Sequence, residues 1–152
     1  MNIINVFENA FMRMSEKQWD CIYILIDLHG TIFTPAYNSE EKYEFYPYAK
    51  ETLQLLSKRR EIKLIIWSST SDTYYKDYLT VLNNNNIFPD YFNENPEVVR
   101  QYDDPKQVSF DKKFYYNIGI DDRFGFEPQK DWKELYTFIS WKKEYKKQEE
   151  KV

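Results

Sequence analysis

Asp27, Ser68, Asp121 and Asp122 each stand where an apolar run of the chain stops. Asp27 closes the run CIYILID, Ser68 follows IKLIIW, and the paired acids follow FYYNIGI. If those runs are parallel strands, all four side chains lie along one edge of one sheet. Carboxylates gathered on such an edge repel one another unless a cation sits among them. An all-oxygen donor set calls for a hard divalent ion, and Mg2+ is the expected one. His29, the only histidine in the chain, lies just beyond Asp27. Its imidazole is chemically suited to give and take a proton near neutral pH. Taken singly, each of these residues is equally well a turn or helix-start residue. The functional reading comes from finding them in order, each at the end of an apolar run.

The elements that must position them alternate in type. Residues 21–27 form a near-continuous apolar run, as expected of a strand buried on both faces of a parallel sheet. Gly30 breaks it, and residues 31–46 read as a loop or short hairpin. Pro47 predicts the first turn of a helix, with Tyr48, Thr52, Leu55 and Leu56 in helical spacing up to Arg60. Residues 62–67 form a second strand. Ser69 and Asp72 have the spacing of a capping box for a helix carrying Tyr74, Tyr75, Tyr78, Leu79 and Leu82, which the asparagines at 83–86 end. A short strand at 89–92, a polar stretch at 93–112, a fourth strand at 114–120 and a final helix at 131–141 follow. Trp132, Leu135, Tyr136 and Ile139 share one face of that last helix. Ahead of the first strand, Ile3, Val6, Phe7, Ala10, Phe11 and Met14 repeat with helical spacing. The order predicts an α/β, three-layer Rossmann-like fold with a central parallel sheet and right-handed crossovers. In such sheets ligands sit off the carboxyl ends of the strands. The expected division is an N-terminal helical extension (1–20), a main domain (21–141) and a charged tail (142–152).

Asp27-Leu28-His29-Gly30-Thr31 resembles the first motif of the haloacid dehalogenase superfamily, D-x-D-G-T in its phosphatases. Ile65-Ile66-Trp67-Ser68 resembles the second motif, and Ile118-Gly119-Ile120-Asp121-Asp122 the fourth. The resemblance implies that Asp27 attacks phosphorus and forms an aspartyl-phosphate that water then hydrolyses. It also implies Mg2+ held by Asp27, by the backbone carbonyl of His29 and by Asp121, with Asp122 beside them. Ser68 would hydrogen-bond a phosphoryl oxygen, and the backbone amides of Ser69 and Thr70 would add anion stabilisation. The family's third motif is a lysine that neutralises phosphate. Lys113 is the preferred candidate, with Lys112 and Lys106 as alternatives.

One position departs from the pattern. The family's phosphatases carry an aspartate where this chain has His29, and that aspartate protonates the leaving oxygen and later activates water. Either His29 takes over that acid–base work, or it only fills the turn and turnover is poor.

Composition narrows the choice of partner. Hydrophobic residues are 42% and aromatics 19% of the 152 residues, enough for a packed single-domain core. The net charge of −4 and pI of about 5.2 supply no overall basic field, so nucleic acid is disfavoured as a partner, though a local groove is not excluded. Cys21 has no partner cysteine and lies in an apolar run, which suits an inert core residue in a reducing cytoplasm. The N-terminal residues lack the basic-then-apolar pattern of a signal peptide and no apolar run reaches membrane-spanning length, so neither is expected. About sixteen residues separate Thr31 from Pro47, too few for an independent cap domain. The site should therefore be open, to a phosphorylated small molecule or macromolecule or to an oligomer partner that covers it. The expected activity is a Mg2+-dependent phosphatase. The alternatives are a weakly active or inactive binding domain and, less favoured, a nucleic-acid end phosphatase.

Overall fold

The computed structural model describes residues 1–35, 42–97 and 115–145. Within them the chain forms strands β1 (Ile22–Asp27), β2 (Ile62–Trp67), β3 (Tyr91–Phe92) and β4 (Ile118–Ile120), all parallel in the order β3-β2-β1-β4. Helices α1 (Ile3–Lys17), α2 (Ala49–Ser57), α3 (Asp72–Asn84) and α4 (Pro128–Trp141) accompany the sheet. This is the Rossmann-like, three-layer α/β arrangement that the order of elements predicts, and the described residues include no large cap.

Alternation along β1 and β2 sorts the apolar side chains between two faces. Ile22, Ile24 and Ile26 join Ile62, Leu64, Ile66, Ile118 and Ile120 in the main core. Against them pack Phe7 and Met14 of α1, Leu53 and Leu56 of α2, Tyr78 and Leu82 of α3, and Trp132 and Leu135 of α4. The other face buries Cys21, Tyr23, Leu25 and Ile65, with Tyr91 and Tyr115 against them. Burial on both faces explains why the run at 21–27 has no polar alternation. Burial also pushes the Cys21 thiol above its ordinary pKa, as befits an inert core residue.

Helix α1 places Ile3, Phe7, Ala10, Phe11 and Met14 inward, capped where the Asn5 amide donates to Asn2 Oδ1 at 3.2 Å. It lies against α4, β1 and β4, so its apolar face belongs to the main core. Beyond α4, the Tyr145 hydroxyl donates to the Met14 carbonyl at 3.4 Å and the Arg60 amide donates to Glu144 Oε1 at 3.2 Å.

Several element ends differ from the sequence reading, among them β3, which is only Tyr91–Phe92, and α2, which ends at Ser57. Tyr48 takes a left-handed conformation (φ 67°) as N-cap of α2, so Pro47 precedes the turn instead of opening the helix. The cap of α3 is Ser71, whose hydroxyl accepts from the Tyr74 amide, and not Ser69. Strand β4 is shorter than 114–120. Ahead of it, Asn117 pairs with Tyr23 through both its amide (2.9 Å) and its side-chain Oδ1 (2.7 Å), so a side chain replaces part of the ladder. Helix α4 begins at Pro128, because proline suits the first turn and Asp131 Oδ2 accepts from the Glu127 amide at 2.8 Å. The end of α3 is as expected, with Asn86 in the left-handed region (φ 59°).

Trp132 ties α4 to the segment that follows β1. It is fully buried, meets Phe126 edge-on at 4.9 Å, and its Nε1 donates to the Thr31 carbonyl at 2.8 Å. Trp132→Phe leaves that carbonyl buried without a donor and opens a small cavity. The expected loss is about 2–4 kcal/mol, read as a lower urea midpoint with unchanged m.

Candidate functional site

The chain runs from β1 through β2 to β3 on one side of the sheet, then returns to place β4 on the other side of β1. The switch point lies between β1 and β4, where parallel sheets open a crevice at their carboxyl ends. Asp27 is the last residue of β1, and Asp121 follows β4 directly. One carboxylate oxygen from each of Asp27, Asp121 and Asp122 lies within 4.8 Å of the others. The sheet therefore brings together three acids that are far apart in sequence.

Thr31 clamps the two strand ends. Its fully buried hydroxyl donates to Asp27 Oδ2 at 3.4 Å and accepts from the Asp122 amide at 3.1 Å. Its carbonyl takes the Trp132 indole, so α4 sets the height of the clamp. Gly30 makes the turn into Thr31 with φ +84°, and a Cβ there would come within 3.3 Å of Asp122 Oδ2. Both facts favour glycine at this position.

The electrostatics follow from crowding. Burial, and then the negative charge of Asp121, push the Asp27 carboxyl up to about 6. Burial works to raise Asp121 as well, but hydrogen bonds from the Arg123 amide and guanidinium hold it below the ordinary carboxylate range. Asp122 is pushed up, first by its partial burial and then by Asp121 beside it. Two carboxyls that resist ionisation beside a third that favours it form an all-oxygen donor set that could suit a hard divalent cation.

A cleft of about 840 Å³ opens over these acids. Asp27, Asp122, Ser68, Trp67, Tyr46 and Arg123 are among its walls. Ser68 thus faces the same space as Asp27, as the strand ends predict. Its Oγ accepts from the Thr70 amide at 3.1 Å, which leaves its proton to donate. The same bond occupies the Thr70 amide, so Thr70 is not the anion donor expected of it.

His29 also lines the cleft, but its ring is engaged on both sides. Nδ1 lies 3.0 Å from the Thr34 carbonyl, which can only accept, so Nδ1 carries the proton. Nε2 then accepts from the Tyr78 hydroxyl at 2.6 Å. Burial lowers the pKa of the ring, which keeps it neutral. Tyr43 and Phe45 of the 31–46 segment pack with Phe33 and Tyr78 around it. Of the loop or short hairpin expected over 31–46, the described ends, residues 32–34 and 44–46, pair through Thr34 to Glu44 and Tyr46 to Ile32 backbone bonds of 2.9 and 3.0 Å.

Lys106, Lys112 and Lys113 lie outside the described residues. Three residues of the site were not singled out from sequence: Thr31 as a clamp, Tyr78 as the partner of His29, and Arg123. Arg123 follows the paired acids directly, but a cation next to acids is too common in sequences to mark a site.

A solved structure of a conserved protein from Bacteroides thetaiotaomicron is similar to this chain. It has 27% identity and a TM-score of 0.59, and covers 81% of this chain and 93% of its own. The likeness supports the α/β fold. No family model and no curated protein matches the chain. Among the described residues, no helix is long and apolar enough to cross a membrane.

Because Asp27 holds its proton more tightly folded than unfolded, stability falls as pH rises through the window from about 4 to 6. Asp27→Asn removes the charge and keeps an acceptor for Thr31. In EDTA at pH 8 the variant should be more stable than wild type by about 1 kcal/mol, the open side of the cleft screening the rest. The gain should shrink toward zero as pH is lowered to about 4. Thermal melts across that range provide the measurement.

Proposed function

We propose that this chain is a Mg2+-dependent phosphomonoester hydrolase of the haloacid dehalogenase type, with Asp27 as the nucleophile. The observation that carries the reading is the meeting of Asp27, Asp121 and Asp122 at the switch point of a parallel sheet, under an open cleft. The motif resemblance and the fold agree with it.

Asp27, Asp121 and Asp122 would hold the cation. When bound, it supplies charge neutralisation between nucleophile and phosphate. Thr31 orients the Asp27 carboxylate through its hydroxyl, leaving the other oxygen to attack phosphorus. An Asp27 O–P bond forms as the ester P–O bond breaks, and the leaving oxygen takes up a proton from solvent water. Water then attacks the aspartyl-phosphate, freeing orthophosphate and Asp27. Ser68 donates its hydroxyl proton toward a phosphoryl oxygen. The lining acids and the single described cation on the cleft, Arg123, favour one phosphate group over a polyanion.

The ring geometry of His29 favours a second reading. A histidine whose Nδ1–H serves Thr34 and whose Nε2 accepts from Tyr78 has neither a proton ready for a leaving group nor a lone pair ready to activate water. Such a site would accept a phosphoryl group and release it slowly, or would serve mainly to bind.

An aryl phosphate with Mg2+ separates these. The first reading expects steady release of aryl alcohol, abolished by EDTA and reduced by at least about a thousandfold in Asp27→Asn. The second expects a burst of about one equivalent of alcohol and a slow steady state, which His29→Asp accelerates. Full activity in Asp27→Asn would remove the proposed nucleophile.

A further inference from the structure

Arg123 stands between two partners. Its Nη2 lies 3.3 Å from Asp121 Oδ2 and its Nε 3.5 Å from Asp121 Oδ1. Its backbone amide independently donates to Asp121 Oδ1 at 2.9 Å. The carboxylate it covers is buried, yet its own side chain is 73% exposed. Arg123 also lines the cleft, and no lysine or other arginine among the described residues does. A long, exposed guanidinium is held by an ion pair that water screens. The Asp121 side chain stays placed by the Arg123 amide even when the guanidinium leaves.

We propose that Arg123 is an exchangeable counter-ion. Without a metal its guanidinium neutralises Asp121. When a divalent cation takes over that carboxylate, the guanidinium turns into the cleft and binds the oxygens of the phosphate group. Arginine suits this second duty, because its planar donors match phosphate oxygens in pairs. The proposal rests on the phosphoryl reading above and assigns phosphate recognition to a residue after the paired acids. It makes Arg123 both a competitor of the metal and a ligand of the substrate.

Those two duties predict opposite effects from one substitution. Calorimetric titrations of the full chain with Mg2+ alone, and with inorganic phosphate at saturating Mg2+, read them separately. In Arg123→Gln, Mg2+ should bind up to about fivefold more tightly, since a screened competing ion pair is gone. Phosphate should bind about ten- to a hundredfold more weakly, the loss of a charge-assisted contact. Arg123→Lys keeps the charge but not the paired planar donors, and should recover only part of the phosphate affinity. If Mg2+ affinity falls together with that for phosphate, Arg123 only props up Asp121 and the proposal is overturned. If wild type binds both and the Gln variant binds phosphate unchanged, the role of Arg123 is lost while the phosphoryl reading stands. If wild type binds no Mg2+, both are overturned.

Discussion

Three carboxylates forced together against their own repulsion are the constraint on which this structure turns. Asp27 and Asp121 occupy the ends of neighbouring strands whose inward residues are fully buried isoleucines. Moving either acid away means shifting the register of β1 against β4 and taking Ile24, Ile26, Ile118 and Ile120 out of the core. Hydrophobic burial at 20–33 cal/mol per Å2 over such side chains outweighs the repulsion of partly solvated acids. The raised pKa of Asp27 records its burial first and the charge of Asp121 second. Such a cluster could hold a cation, and the proposed function starts from it.

The clamp around the acids is built from neutral groups. Thr31 binds Asp27 with its hydroxyl proton, the Asp122 amide with its lone pair and Trp132 with its carbonyl. None of these adds charge to an already crowded site. On the exposed side Arg123 pairs directly with Asp121 at 3.3 Å. His29 is held by neutral groups. Its ring joins the loop after β1 to α3 through Thr34 and Tyr78, inside a wall of Phe33, Phe45 and Tyr43. Burial in that setting keeps the ring in its neutral form.

The strands were legible because their composition is extreme. Runs such as IYILID and IKLIIW, buried on both faces, have few readings other than a central parallel strand. Strand β4 was read too long because Tyr115 and Tyr116 are as β-prone as the isoleucines that follow, while Phe114 lies outside the described residues. Only the side chain of Asn117, bonding to the Tyr23 amide, shows where the ladder gives way. Helix starts were less legible, since a cap depends on which hydroxyl faces which amide. Ser69 and Ser71 are indistinguishable by type, and the path of the chain after Trp67 selects Ser71.

By itself the sequence determined which residues could do chemistry and that each stands at the end of a strand, because periodicity and apolar runs are local properties. The acids at 27, 121 and 122, the serine at 68 and the parallel α/β class all follow from such runs. Only the tertiary structure decided which neighbours those groups have. The crossing of β4 to the far side of β1 sets the spacing of the acids, the docking of α3 occupies the His29 ring, and the turn after Asp121 lays Arg123 over it. Those are long-range contacts chosen by the packing of the whole core, and no short window of sequence carries them.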